Sequence, residues 1–243
     1  MKYFLSFGNE RFKKSRSRIE KEAQATGLFD CTVIETEEIC NEEPFKSVCE
    51  KCKICGRGFY WYMWKPYIIF KTLISLEDDD ILFYCDAGMK IYDSPDRIEK
   101  FKNLFELIRD KNKCPTGIAT FITTGPPTQR KEYMYNMMHV FDHFNVCKDE
   151  SITHTQQVQA GVHTILKCDK SIKIIEEWFE LTKTNPEFFI GDNRFCKFDK
   201  MVQFKGFRDH RHDQSVWSIL CKLNNVNILK HDLNPIHQSH IRQ

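Results

Sequence analysis

The sequence predicts an α/β protein with a mostly parallel central sheet flanked by helices, in a single domain over residues 1–243. Three observations predict it. Short apolar, strand-like runs alternate with segments of helical periodicity along the chain. One run, "ILFYCD" at 81–86, is apolar almost throughout, as expected of a strand buried on both faces of a sheet. The 243 residues hold no internal repeat, low-complexity tract or Gly/Ser/Pro linker, which suits one sizeable domain.

The elements follow in order. "KYFLSF" (2–7) reads as a strand that Gly8 ends. Arg11 to Thr26 is charged and rich in helix formers, with Gly27 as its stop. "DCTVIET" reads as a second strand. Residues 37–58 are polar, irregular and Cys-rich, and read as a loop excursion. Ile69, Leu73 and Leu76 mark a helical face from Lys65 onward, and Pro66 fits its first turn. "EDDD" (77–80) reads as a solvated turn before "ILFYCD". Ile98, Phe101, Phe105 and Ile108 give a helix over about 96–110, and "GIATFIT" (117–123) a strand. Gln129 to His139 reads as helical. "QVQAGVHTILK" (157–167) is a strand region holding a glycine. Ile172, Ile175, Trp178 and Phe179 define a further helix. In "HDQSVWSILCKL" (212–223), Val216, Ile219, Leu220 and Leu223 share one helical face. "VNILKHD" is a last short strand.

Composition excludes several classes. Lys plus Arg is 36 and Asp plus Glu 34, a net charge of +2. A dedicated nucleic-acid binder carries a stronger basic excess. The longest apolar-rich run, "FYWYMWKPYIIF", contains Lys65 and Pro66 and falls far short of a membrane span. "KYFLSF" is too short for the apolar core of a signal peptide, so a cytoplasmic location is expected. The 11 cysteines then read as mostly reduced thiols. Cys49, Cys52 and Cys55 have zinc-like CxxC spacing, but a closed site needs a fourth ligand, Cys40 or a distant His. The plain alternative is a Cys-rich surface loop.

Asp86 closes the central strand, where open α/β sheets bind their ligands. The turn after the first strand, "FGNERF", has one glycine and makes no dinucleotide fingerprint, and no GxxxxGK[ST] loop is present. A carboxylate at such a strand end can instead hold Mg²⁺ or Mn²⁺, which prefer oxygen ligands and bridge to phosphates. Taken alone, Asp86 could equally be a turn or cap residue.

"GFYWYMWKPYIIFKTL", "DDDILFYCDAGMKIYD", "VQAGVHTIL" and "HRHDQSVWSIL" together resemble the glycosyltransferases of the GT-A (Rossmann-like) fold. They resemble most the small cytoplasmic members of bacterial polysaccharide clusters and large DNA viruses, and a viral member would work in the host cytoplasm. The relaxed metal motif is Asp86-Ala87-Gly88, with Gly88 where the second aspartate stands in the family. Gln159 stands where the family often has Asn. The resemblance covers the chain from about Lys2 onward, outside the Cys49–Cys55 loop.

The resemblance implies a nucleotide-diphosphate sugar donor, with UDP-sugar the expected one, and a divalent-metal cofactor, Mn²⁺ or Mg²⁺. It implies transfer to a hydroxyl of a glycan, lipid-linked sugar or protein acceptor. A homodimer is admitted, with no nucleic acid and no membrane span. Asp86, with His237 or His240, would hold the metal. Ser6, Gly8, Arg11, Lys65, Asp86, Ala87 and Gly88 would bind the nucleotide sugar, Lys65 as a point charge on the diphosphate. A snorkelling surface lysine is the alternative for Lys65. Gln159, Gly161 and His212 would line the acceptor side. Asp213 and Gln214 would act at the reacting carbon, Asp213 as general base if transfer inverts, either of them stabilising the cationic sugar if it retains. The alternative for Asp213 is a helix N-cap. Two other functions compete. A sugar nucleotidyltransferase or pyrophosphorylase would want a Gly-rich N-terminal loop, where only Gly8 stands. A non-catalytic zinc-linked interaction module would use the Cys cluster.

Overall fold

The computed structural model describes residues 1–52, 58–191 and 202–236. One six-stranded sheet organises them. Its strands are β1 (Lys2–Phe7), β2 (Cys31–Glu35), β3 (Ile81–Cys85), β4 (Ile118–Ile122), β5 (Val158–Leu166) and β6 (Asn227–Leu229). The order across the sheet is β2-β1-β3-β5-β4-β6. β1 pairs in parallel with β2 and β3, and β4 with β6, whereas β5 runs antiparallel to both its neighbours. The sheet is therefore mixed. The reversal of β5 brings its N-terminal half beside the C-terminal end of β3.

Helices connect and cover the strands: α1 (Lys13–Ala25), α2 (Phe45–Cys52), the short α3 (Gly58–Trp61), α4 (Trp64–Ser75), α5 (Pro95–Arg109), α6 (Glu132–Tyr135), α7 (Met138–His143), α8 (Glu150–Thr153), α9 (Asp169–Thr184) and α10 (Asp213–Leu223). Strand side chains alternate between two apolar cores. Leu5, Leu82 and Tyr84 face the larger core with α2, α4, α9 and α10, built around Trp64, Trp178 and Trp217. Phe4, Phe83 and Cys85 face the second core with α1 and α5, built around Ile19, Phe101 and Phe105. Every residue of β3 and of β5 is buried, as their apolar runs predict for central strands.

Several expectations are corrected. The 37–58 excursion holds a 3-10 turn (Glu37–Asn41) and α2, whose Phe45, Val48 and Cys49 are buried. Their i, i+3, i+4 spacing is a helical stripe that the surrounding charges hide. The helix expected over Gln129–His139 breaks, because Asn136 and Met137 are extended between α6 and α7. The Asn136 amide donates instead to the Ser215 carbonyl at 2.9 Å. The "EDDD" turn is not wholly solvated: Asp80 is buried and accepts from the terminal ammonium and the Glu77 N–H. Leu223 is 41% exposed, outside the buried face that Val216, Ile219 and Leu220 make. Among the described residues no helix is long and apolar enough to cross a membrane.

Candidate active site

The glycine in β5 marks an irregularity that builds the site. Two steps along β4, Thr120 to Ile122, are matched by five along β5, His163 to Val158. The surplus is a bulge over "QAGV", a device found next to active sites. The Thr120 hydroxyl lies 3.3 Å from the Gln159 carbonyl and 3.1 Å from that of Val162, closing the bulge from the β4 side. On the β3 side the Asp86 N–H donates to the Gly161 carbonyl at 2.9 Å. Gly161 must be small: a Cβ there would sit 2.3 Å from Met89 Cε and 3.0 Å from Asp86 Oδ2.

The bulge turns the Ala160 carbonyl toward α4. Lys65, in the first turn of α4, is 3% exposed, and its ammonium donates to that carbonyl at 3.0 Å. The same ammonium pairs with Asp86 Oδ1 at 3.2 Å and Asp213 Oδ2 at 2.7 Å. Three motifs far apart in sequence thus meet on one nitrogen. Lys65 is no snorkelling surface residue: its ammonium is buried against one carbonyl and two carboxylates. The two carboxylates hold its ammonium protonated, raising its pKa against the opposing effect of burial.

The two carboxylates differ. Asp86 sits at the edge, with a side chain 36% exposed. Its Oδ1 accepts from the Tyr84 hydroxyl as well as from Lys65. Asp213 opens α10 and is buried. Burial pushes its pKa up to about 6 against the pull of Lys65, and the charge of Asp86 adds to the rise. One ammonium shared between two carboxylates does not fully offset the burial of Asp213.

A cavity of about 170 Å³ opens on this cluster. Lys65 and Asp86 line one wall, Ala160 and Gly161 of β5 the floor, and Asp213 and Gln214 of α10 another wall; Tyr62, Arg211 and His212 complete it. The Gln214 amide donates to Gln157 Oε1 at 2.8 Å, which fixes its orientation. His212 takes φ +54°, a backbone state costly for a residue with a Cβ. Its Nδ1 lies 2.8 Å from the Phe189 carbonyl, and its ring stands beside Trp61.

The other expected residues are placed as follows. Ser6 is buried and its hydroxyl donates to the Cys85 carbonyl at 2.7 Å, tying β1 to β3 just before Asp86. The Gly8 carbonyl accepts from Arg16, and Arg11 is exposed, packed near Phe12. None of the three lines the cavity. Ala87 turns into the second core, so any ligand contact there falls to its backbone. Gly88 is exposed with open space around it. Gln159 is buried in the bulge and stands outside the cavity lining. His237 and His240 lie outside the described residues, as does Cys55. Cys49 Sγ is 3.4 Å from Cys40 Sγ, whereas Cys52 Sγ faces Met63 Sδ at 3.9 Å.

Two further positioning groups are not singled out by the sequence. Arg18 of α1 pairs with both oxygens of Glu22 at 2.8 Å and donates to the carbonyls of Ala87 (2.8 Å) and Met89 (2.7 Å). Glu22 in turn accepts from the Ile91 N–H at 2.9 Å, so the pair pins the segment after Asp86. His163, buried opposite Tyr84 in the ladder, shares the Ala160 carbonyl with Lys65 at 3.1 Å. Burial and the Lys65 charge hold its pKa well below the usual imidazole value, so it stays neutral.

A metal's fit can be judged from the donor set. Among the described residues no three His, Cys, Asp or Glu side chains gather as a metal shell. The arrangement does fit an ion held by one carboxylate and by substrate phosphates, the usual habit of Mg²⁺. Asp86 Oδ2 is the oxygen left to it, since Lys65 and Tyr84 both take Oδ1.

No family model and no curated protein matches the chain. Among solved structures it is similar to a glycosyltransferase involved in glycosylation of the major capsid of PBCV-1. That match has 10% identity and a TM-score of 0.47, over 95% of this chain and 80% of that one. It is also similar to mouse xyloside xylosyltransferase 1, with 12% identity and a TM-score of 0.48, over 95% and 85%. The glycosyltransferase GlyE of Streptococcus pneumoniae TIGR4 matches at 13% identity and a TM-score of 0.44, over 94% of this chain and 44% of that one. All three likenesses are loose, and the functional reading rests on the chain's own residues.

Proposed function

We propose that the chain is a glycosyltransferase that moves a sugar from a nucleotide-diphosphate donor, a UDP-sugar, to an acceptor hydroxyl. The observation that carries this is the convergence of Lys65, Asp86 and Asp213 on one cavity at the β3–β5 junction. These three belong to the segments that resemble the GT-A enzymes, and a chance resemblance gives no reason for them to meet.

The chemistry follows from the two carboxylates. Asp86, at the exposed edge, faces the donor's phosphates. A divalent ion bound there would neutralise charge on the departing diphosphate. Asp213, deeper and unequally compensated, faces the reacting carbon. Ionised above about pH 6, it accepts the acceptor proton or stabilises positive charge on the sugar, and both interactions strengthen toward the transition state. Lys65 holds the two carboxylates in register, and Gln214, fixed by Gln157, adds a polar group beside Asp213.

A thermal-shift and hydrolysis screen of nucleotide sugars, with and without Mn²⁺, tests the reading. UDP-sugars are expected to stabilise the chain and to be cleaved slowly in the presence of the metal. Binding of GDP or CMP without UDP would overturn the donor assignment. Undiminished turnover in EDTA would remove the metal.

A further inference from the structure

Resting on the proposed transfer reaction, the charges around the cavity say something about the acceptor. Four charged side chains line it: Lys65 and Arg211, Asp86 and Asp213. Lys65 is spent on the two carboxylates. Arg211 is not. Among the described residues its guanidinium makes no hydrogen bond, and the nearest carboxylate, Asp209, stands 3.9 Å away at the surface.

Arg211 is nevertheless held in place. Its backbone N–H is directed to the Ser215 hydroxyl (2.9 Å) and the Tyr135 carbonyl (3.3 Å). Its guanidinium lies over the Tyr135 ring at 4.8 Å. Arg130 reaches the same ring at 5.9 Å. The backbone N–H of the exposed Arg208 donates to the Met134 carbonyl at 2.8 Å, which ties this segment to α6 beside Tyr135. A pre-oriented planar fork that lines the cavity and, among the described residues, makes no hydrogen bond and only a long contact to Asp209 is built to receive an anion.

The topology says which substrate brings that anion. β1 and β4 lie on opposite sides of the β3–β5 pair. The resemblance would put the nucleotide end over the tip of β1, by Gly8, which lies outside the cavity lining. Tyr135, the seat of Arg211, belongs to α6, which follows β4. On the proposed reading Arg211 is thus seated on the β4 side of the cavity and the nucleotide on the β1 side. We propose that Arg211 is a specificity-determining residue for an anionic acceptor, one that carries a carboxylate or phosphate close to its reacting hydroxyl.

Titration of the full chain, followed by NMR and calorimetry, tests this with four probes: UDP, methyl glucuronide, glucose 6-phosphate and the neutral methyl glucoside. The wild type is expected to bind at least one anionic sugar roughly 10-fold or more tighter than the neutral one. The glucuronide responding marks a carboxylate acceptor, and the sugar phosphate responding marks a phosphorylated one. Arg211→Gln is expected to erase that preference and leave UDP affinity within about 2-fold. A neutral sugar binding as well as both anionic ones overturns the proposal. So does an Arg211→Gln variant that loses UDP, which would place the residue on the donor. Failure of wild-type UDP binding strikes the proposed function instead, and an anion preference that still depends on Arg211 would then stand alone as a binding site.

Discussion

Two lysines meet carboxylates at the two ends of α10, and the two clusters are built differently. Near its C-terminal end, Lys222 pairs with Glu132, a residue with 0% exposure. Glu132 also accepts from the Ser218 hydroxyl and the Asn136 amide, and Lys222 donates to the Gln156 carbonyl at 3.0 Å. One cation meets one carboxylate, and neutral groups fill the remaining positions. At the helix start, Lys65 meets two carboxylates and the cluster opens on a cavity. The first arrangement is closed and balanced, and it ties α6 to α10. The second keeps surplus negative charge beside a space a substrate can enter. Charge imbalance beside a cavity marks the Lys65 cluster as the candidate chemical site more cleanly than burial does, because both clusters hold a buried carboxylate, Asp213 in one and Glu132 in the other.

The largest effect is expected from Asp213→Asn, which keeps a capping oxygen and removes the charge. If Asp213 acts at the transfer centre, kcat falls by roughly 10²–10⁴-fold with donor affinity little changed. Near-normal turnover would reduce Asp213 to a helix cap. The balanced cluster should respond the other way. Glu132→Ala leaves the Lys222 ammonium without its carboxylate and should cost about 3 kcal/mol of stability, seen as a lower denaturant midpoint. Turnover per folded molecule should stay near normal. A variant that kept its stability and lost its turnover would undo the contrast between the two clusters.

A pH series sharpens the contrast further. The pKa of Asp213 is raised in the folded state to about 6. A raised folded pKa favours the folded state while the group is protonated, and that advantage is lost as pH climbs from about 4 through 6. Wild type and Asp213→Asn should therefore match in stability near pH 4. By pH 7 the wild type should be the less stable, by on the order of 2 kcal/mol. Activity should move oppositely, with kcat/KM rising through about pH 6. Equal stability of the two proteins at pH 7 would show that Lys65 compensates Asp213 completely.

Much of the frame was legible in the sequence because it is written in local periodicity. All six strands stand where the apolar runs put them. The reversal of β5 was not legible, since a buried central strand has the same composition in either direction. Lys65 and Asp213 were each readable as candidates, but not their contact, because periodicity says nothing about pairing across 148 positions. The bulge had one signal, a glycine inside a strand pattern. Arg18 had none: an arginine on an amphipathic helix reads as a solvated charge, and only the turn brought up to it by β3 shows its role.

The smallest effects come from two glycines that the sequence alone does not rank. Gly88 stands in the place of the second aspartate of the motif that the chain resembles, and a Cβ there meets nothing within 4 Å. Gly161 lies in the bulge, where a Cβ would press on Met89 and on Asp86 Oδ2. Gly88→Ala should change stability by no more than about 0.5 kcal/mol and leave donor binding intact. Gly161→Ala should cost about 1 kcal/mol, because the Met89 methyl is a flexible end that can swing away while the bulge cannot. On the proposed function the displaced Asp86 oxygen would be the one that meets a metal and phosphates, so UDP affinity in Mn²⁺ should weaken several-fold while UDP affinity in EDTA should not. Calorimetry of both variants in both buffers decides it. Loss of metal-assisted binding in Gly161→Ala alone would tie the bulge to Asp86, and an equal response of the two glycines would show that the close approach of β5 to that carboxylate serves packing only.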